Sequence, residues 1–312
     1  MRMLENFAVI GGGSWGTALG CLFARLFGKV LLYTLEENTV NEINNKHQNN
    51  KYLGDVILPS AVSATSSIKD IMAADVIILA IPSHAFADIL AQLKHLGLSE
   101  NTTLLVATKG LCENPVQLFS SKIEREFDNS YAFISGPNFA REVAEDKFTA
   151  VTISSRNAIL AQMLAGQLAS AQLDTTFSTD IVTIQIASVV KNIAAIKSGI
   201  MQASGAGENA IAWLVSRALA DIAVISKALG GNAETLTLPS VIGDLTLTCY
   251  STTSRNTRFG YEFHRSNYSS EFLNNYPILV EGVSSARLLD RFLKEHNFEF
   301  ELPVVSSITN IV

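Results

Sequence analysis

The chain has 312 residues, 48% hydrophobic and 17% charged, which is enough for two domains with sizeable cores and unlike a disordered or fibrous protein. Its 23 Lys and Arg against 29 Asp and Glu leave a net charge of −6, which argues against a nucleic-acid binder, so an anionic ligand must be held by local cations or backbone N–H groups. Cys21, Cys112 and Cys249 form neither a CxxC pair nor a zinc spacing. No metal site is expected, the thiols suit a reducing cytoplasmic setting, and no apolar run looks long enough to span a membrane.

In chain order, Phe7–Ile10 is a short apolar strand that leads into Gly11-Gly-Gly-Ser-Trp-Gly16, a GxGxxG through Gly11, Gly13 and Gly16. A helix follows over 17–27, then a strand over 29–33, then Glu36. The first glycine permits a tight turn, the second lets the backbone approach a pyrophosphate, and the third lets the helix pack on the strand. The helix start offers unbonded N–H groups to phosphates, and an acidic residue about twenty positions beyond the glycines suits an adenine ribose. A glycine-rich turn in another α/β protein, such as a methyltransferase-type nucleoside site, is the competing reading. Further apolar strands are predicted over 75–81, ending at Pro82-Ser83; over 102–108, ending at Lys109-Gly110; and over 131–135, ending at Gly136-Pro137. Strands alternating with helical stretches predict a parallel, doubly wound sheet whose ligand edge carries Lys109 and the Gly136 turn. His84 reads as a surface or capping residue.

Strand alternation is expected to fade after 148–153, with one amphipathic helix over 158–173. From residue 184 the patterning is helical, which predicts domains 1–183 and 184–312. The stretch 184–200 is apolar on nearly every side, yet contains Lys191. Burying an unpaired ammonium is costly, so the amine must snorkel outward, meet a core carboxylate, or be tuned for proton exchange. Ser188, Ala195 and Ser198 share its helical face and Asn192 lies beside it. Asp244, a carboxylate after Gly243 in an otherwise apolar run, is either a helix cap or a functional polar residue. Ser254-Arg-Asn256 is either a solvated cap or an anion site, since Arg suits phosphate and Ser opens helices. Glu281 reads as a helix-start carboxylate.

Taken together, Gly11–Leu19, Asn49-Asn-Lys-Tyr-Leu53, Pro82-Ser83, Thr108-Lys-Gly110, Ser135-Gly-Pro-Asn-Phe-Ala-Arg-Glu142, Lys191-Asn192, Gly243-Asp-Leu245, Ser254–Gly260 and Val280-Glu-Gly282 closely resemble the bacterial NAD(P)-dependent glycerol-3-phosphate dehydrogenases in the same order. The resemblance implies an α/β fold: an N-terminal Rossmann-type doubly wound sheet, an all-helical C-terminal domain, and an active site in the cleft between them. It implies Lys191 as proton acceptor from the substrate hydroxyl. Lys109, Gly136, Asn138, Asn192, Asp244, Thr248, Ser254, Arg255 and Asn256 would surround glycerol 3-phosphate or dihydroxyacetone phosphate. Gly11, Gly13, Ser14, Trp15, Gly16, Leu35, Glu36, Pro82, Lys109, Ala140, Arg255, Leu279 and Glu281 would meet NAD or NADP. It also implies a supply of glycerol phosphate for phospholipid synthesis, and leaves a homodimer open.

The chain departs from the pattern. Asn138 stands where Ser or Thr is usual, and Leu238–Asp244 replaces a glycine-rich run. Arg217-Ala218 replaces Arg-Gly, and the family's relatives are expected to continue beyond Val312. Leu35 stands where a basic residue often meets the 2′-phosphate of NADP. With Glu36 expected to repel that phosphate, NAD is the favoured cofactor. A β-hydroxyacid dehydrogenase, or a non-catalytic dinucleotide sensor, are the competing functions.

Overall fold

The computed structural model describes residues 4–277 and 280–312. Leu279, assigned to the dinucleotide by resemblance, lies outside the described residues. The chain forms two compact units. Unit 1 comprises Met1–Thr108, Ser120–Ile134 and Asn138–Thr179, and unit 2 comprises Lys109–Phe119, Ser135–Pro137 and Asp180–Val312.

Unit 1 is built on the strands β1 (Phe7–Ile10), β2 (Val30–Tyr33), β3 (Val62–Thr65), β4 (Val76–Leu79), β5 (Thr103–Val106), β6 (Tyr131–Ser135), β7 (Thr149–Ser154) and β8 (Leu173–Ser178). Their order in the sheet is β3-β2-β1-β4-β5-β6-β7-β8. β1 lies parallel to both β2 and β4, with Phe7 opposite Val30 and Val76. β1, β4 and β5 are buried along their whole length, as apolar strands covered on both faces must be. The helices of this unit are α1 (Ser14–Phe27), α2 (Glu37–Lys46), α3 (Asn50–Leu53), α4 (Phe86–His95), α5 (Phe119–Glu126), α6 (Ala140–Ala144) and α7 (Ala158–Leu168). Strand order reverses between β1 and β4. This is the switch point at which doubly wound sheets open a crevice for ligands, beside the loop that follows β1.

One expectation about this unit is corrected. The helix predicted over 158–173 ends at Leu168, and the alternation does not fade, because β8 lies parallel to β7 with Thr149 opposite Leu173. The Ser170 Oγ accepts the Leu173 N–H at 3.1 Å and turns the chain. The following Leu-Asp-Thr-Thr-Phe-Ser is polar enough to read as surface, but its adjacent threonines favour a strand.

The main segment of unit 2 consists of α8 (Ile181–Ala203), α9 (Glu208–Ala228), α10 (Asp244–Tyr250), α11 (Arg255–Arg265), α12 (Ser270–Asn275), α13 (Glu281–Glu295) and α14 (Pro303–Thr309), and no strand falls there among the described residues. α8 is the axis, and α9, α10, α11, α13 and α14 pack around it. Asp180 caps it, accepting the Val182 and Thr183 N–H groups at 3.0 and 2.9 Å, which satisfies donors that helix starts leave open. α8 and α9 are in fact long and apolar enough to cross a membrane, contrary to the sequence expectation, but the most apolar window of α8 is 94% buried inside the protein. It is a core helix that hydropathy alone does not separate from a spanning one.

Glycines set the close crossings. A Cβ on Gly199 of α8 would fall 1.9 Å from the Thr257 carbonyl oxygen, and one on Gly260 of α11 would fall 2.0 Å from that of Ile196. α8 and α11 therefore meet nearly backbone to backbone at two points, which no larger side chain allows. Cys21 and Cys249 are buried thiols, with Cys249 pushed up to about 12 by burial, so neither is a ready nucleophile.

Candidate active site

The amine of Lys191 is buried and does not snorkel. Its Nζ donates to Asp244 Oδ1 at 2.7 Å and to Thr248 Oγ1 at 3.3 Å. The other carboxylate oxygen, Oδ2, accepts from Lys109 Nζ at 2.8 Å. Asp244 is the first residue of α10 and is entered through a π-helical turn over Pro239–Gly243. It does not act as the N-cap; its carboxylate is committed to the two lysines. Thr248, one turn on, returns its hydroxyl to the Asp244 carbonyl at 2.6 Å, which fixes the acceptor that Lys191 meets.

Two ammonium groups and one carboxylate leave this buried cluster with one surplus positive charge. Burial, first, and the neighbouring Lys109 charge work against the Lys191 proton, while Asp244 holds it, and the result is a pKa lowered to about 8. Burial also opposes the Lys109 charge, but the direct bond and charge of Asp244 outweigh it and raise its pKa. Asp244, pulled upward by burial, is held below the usual carboxylate range by the two lysines. The proton most easily given up is therefore that of Lys191, the drier of the two amines, with 8% side-chain exposure against 17% for Lys109.

Around the cluster, Asn256 joins three helices. Its Nδ2 donates to Asn192 Oδ1 at 2.9 Å, and its Oδ1 accepts the Gly282 N–H at 2.9 Å. Asn192 in turn donates to Glu281 Oε2 at 3.4 Å, and Arg255 Nη2 lies 4.0 Å from Glu281 Oε1. Arg255 is exposed and makes this long ionic contact alone among the described residues, whereas Ser254 is buried and caps α11 by accepting the Thr257 N–H at 3.3 Å. Pro137, beside Gly136, packs on Gly243 at the entry to α10. Lys109, Gly136, Lys191, Asn192, Asp244, Thr248, Ser254, Arg255, Asn256 and Glu281 thus all fall in unit 2. Asn138 falls in unit 1, where its Nδ2 donates to Thr149 Oγ1 at 2.6 Å and to the Ala150 carbonyl at 3.1 Å.

The glycine loop of unit 1 has the geometry its spacing implies. Gly11 sits at φ +125°, where a Cβ would strike the Ala80 carbonyl oxygen at 2.2 Å, and a Cβ on Gly16 would strike the Gly11 carbonyl oxygen at 1.9 Å. A Cβ on Gly13 would meet nothing within 4 Å, so the middle glycine faces open space. α1 starts at Ser14, earlier than the helix predicted from Thr17, and no side chain caps it. Its first N–H groups are left for an anion. The Trp15 Nε1 is buried without a partner among the described residues. An open cradle, uncapped N–H groups and an orphaned buried donor fit a bound dinucleotide. Pro82 is exposed just past β4, and Ala140 opens α6 half-buried.

Glu36, expected to repel a 2′-phosphate, is paired with a cation. Its two oxygens accept from Lys51 Nζ at 2.8 and 2.9 Å, from the Tyr52 hydroxyl at 2.5 Å and from Thr39 Oγ1 at 3.1 Å. The bonds from Lys51 and then Tyr52 hold it below the usual carboxylate range, while Leu35 is 80% exposed. Asn49, Lys51 and Tyr52 had no assigned role beyond their place in a family motif. Asn49 Nδ2 bonds the Gly12 carbonyl at 3.0 Å and Thr17 Oγ1 at 2.8 Å, and Ser14 Oγ donates to the Tyr52 carbonyl at 2.8 Å. The tether between this segment and the glycine loop is a property of the fold that spacing does not announce.

A doubly wound, mostly parallel sheet with such a loop defines a dinucleotide-binding protein of the dehydrogenase type. Comparison narrows this class. Models of the NAD-dependent glycerol-3-phosphate dehydrogenase N-terminus and C-terminus match residues 6–161 and 180–312. A glycerol-3-phosphate dehydrogenase (NAD(P)+) of Rickettsia typhi is 42% identical over 316 residues, across 100% of this chain and 98% of that protein. One from Rickettsia bellii is 42% identical across 100% of both. The crystal structure of glycerol-3-phosphate dehydrogenase from Coxiella burnetii superposes with a TM-score of 0.90 at 31% identity, covering 99% of this chain and 94% of that one. The chain belongs to the NAD-dependent glycerol-3-phosphate dehydrogenase family. A D-mandelate dehydrogenase structure shares the fold at a TM-score of 0.64 and 16% identity. The R. bellii relative is covered over 100% of its length, so it does not show the extension expected beyond Val312.

Proposed function

We propose that the protein is an oxidoreductase that interconverts sn-glycerol 3-phosphate and dihydroxyacetone phosphate with NAD(P)+ and NAD(P)H, and that Lys191 carries the proton. The observation that supports this most directly is the buried carboxylate of Asp244 shared by Lys191 and Lys109 in a member of this family. The nicotinamide, when bound, accepts or supplies the hydride. The glycine loop after β1 would hold the pyrophosphate on the first N–H groups of α1, and Glu36 would take the ribose hydroxyls.

In the oxidation direction the neutral Lys191 amine takes the proton of the C2 hydroxyl; in reduction the ammonium returns it to the carbonyl oxygen. With a pKa of about 8, both forms are accessible near neutral pH, as a general acid–base group requires. Lys109 keeps a positive charge beside the reacting oxygen and polarises the carbonyl. Asp244 and Thr248 aim the Lys191 amine. Arg255 and Asn256, with Ser254 and the start of α11, receive the phosphate and so fix which carbon faces the nicotinamide. Gly136, Asn138 and Asn192 complete the substrate surroundings, and Ala140 and Pro82 flank the cofactor. On this reading residues 1–183 act as the nucleotide-binding part and 184–312 as the substrate-binding part. The product supplies glycerol phosphate for phospholipid synthesis in the cytoplasm, and the enzyme acts alone or as a homodimer.

The test is NADH oxidation by the purified protein with dihydroxyacetone phosphate, beside a panel of 2-keto and β-keto acids. Turnover of the triose phosphate alone is expected. Turnover of the acids in preference to it points to a hydroxyacid dehydrogenase, and nucleotide binding without any turnover points to a sensor.

A further inference from the structure

We infer that Lys51 determines cofactor specificity: it offsets the charge of Glu36 and supplies the cation for the 2′-phosphate of NADP, so that the site accepts both nucleotides. The inference rests on the nucleotide reading of the glycine loop and extends it to a residue outside the strand–loop–helix motif.

The acidic residue after β2 normally bonds the ribose 2′-hydroxyl and repels a 2′-phosphate. In this protein that residue is Glu36, and the position before it, Leu35, carries no charge. An uncompensated Glu36 would exclude NADP. Lys51 meets both Glu36 oxygens at 2.8 and 2.9 Å, and it is not placed there by chance collapse of a surface chain. The residue two before it, Asn49, is fully buried and bonded to the Gly12 carbonyl and to Thr17, and the residue after it accepts through its carbonyl from Ser14. Lys51 is therefore held from both sides by the same loop that cradles the pyrophosphate. Its ammonium also lies over the Tyr52 ring, 4.9 Å from the centroid, which limits its swing.

A cavity of about 440 Å³ opens beside the pair, and its charged lining residues are Glu36, Glu42, Lys46 and Lys51. Glu42 is occupied by the Asn50 N–H and Nδ2 at 2.9 and 2.7 Å. Two cations against two carboxylates make the cavity neutral overall, with Lys51 the cation bonded to the ribose carboxylate. With NAD, Glu36 keeps Lys51 and accepts a ribose hydroxyl. With NADP, Lys51 bridges the two anions, keeping one donor on Glu36 and giving another to the phosphate, a charge-assisted contact of the same kind.

The experiment measures Kd for NADH and NADPH by nucleotide fluorescence, and for 5′-AMP and adenosine 2′,5′-bisphosphate by calorimetry, in wild type, K51Q and E36Q. Wild type is expected to bind both dinucleotides. The ratio Kd(NADPH)/Kd(NADH) should rise about tenfold or more in K51Q and fall in E36Q, the size expected for one hydrogen bond to a charged group. The same ratios should appear with the two adenosine nucleotides. An unchanged ratio in K51Q, or wild type that binds NADH but not NADPH, overturns the inference while leaving the nucleotide site intact. Wild type that binds neither dinucleotide defeats the nucleotide reading itself.

Discussion

The protein contains two clusters of the same chemistry in different surroundings. In unit 2, Asp244 lies between Lys191 and Lys109, with side-chain exposures of 3%, 8% and 17%. In unit 1, Glu36 meets Lys51, with side-chain exposures of 37% and 61%. The bond lengths are nearly equal, at 2.7 to 2.8 Å. What differs is the solvent. In the buried cluster, desolvation competes with attraction and brings an amine into the working pH range. In the exposed pair, water screens both partners, each simply reinforces the other's charge, and the Lys51 pKa moves up. Burial beside a second cation lowers the Lys191 pKa, whereas Lys51, paired at the surface, is held charged by its carboxylate.

The largest expected effect breaks the buried cluster at its titrating member. Lys191→Ala should lower kcat about 10²- to 10⁴-fold, the range for a lost general acid–base group, while Kd for NADH stays within error of wild type. Full turnover in that variant removes the proposed role.

Asp244→Asn sharpens the comparison further. It leaves two ammonium groups without their carboxylate, and breaking a buried ion pair this way costs about 3–5 kcal/mol, read as a lower urea midpoint at neutral pH. It also moves the pH profile. Oxidation needs the neutral amine, so kcat/KM for glycerol 3-phosphate should rise with pH and level off above about 8; reduction needs the ammonium and should fall above the same pH. Asp244 supports the Lys191 proton and Lys109 opposes it. The inflection should therefore shift to acid in Asp244→Asn and to alkali in Lys109→Met. Shifts in the same direction would show that the inflection belongs to another group.

How far these two clusters could be read before the fold was known follows from the distances involved along the chain. The need for a partner at Lys191 was legible, because an amine in an all-apolar helix is costly. Asp244 stood out as a carboxylate in an apolar run, but nothing local tied it to either lysine, since 53 residues separate it from Lys191 and 135 from Lys109. The sheet was legible through its apolar strands and the GxGxxG spacing. β8 was not, because its polar face at the sheet edge lacks the apolar run used to find the others. Lys51 was invisible as a specificity residue, since a lysine in Asn-Asn-Lys-Tyr reads as solvated surface. The Asn49 and Ser14 tethers, which fix its segment to the glycine loop, are what bring it forward.

A smaller effect tests whether the scaffold of the buried cluster depends on close helix contact. Gly260→Ala places a methyl 2.0 Å from the Ile196 carbonyl oxygen, and the backbone rather than a flexible side chain must yield. Overpacking of this kind costs about 1–3 kcal/mol. Because Lys191 lies on the same helix as Ile196, the displacement should also reduce kcat more than it raises KM. A stable variant with unchanged kcat would mean that α8 and α11 can separate without moving the amine.

The smallest expected effect is at the exposed pair, where it is most informative. Glu36→Gln removes one partner of a screened surface ion pair, and such pairs contribute little to folding. The urea midpoint should not move measurably, in contrast to Asp244→Asn. High salt should likewise leave the midpoint unchanged while weakening NADPH binding more than NADH binding, since the 2′-phosphate contact is made near solvent and is screened. A marked loss of stability in Glu36→Gln would make the Lys51 tether part of the core structure of unit 1 and remove the distinction proposed between a surface charge for recognition and a buried one for proton transfer.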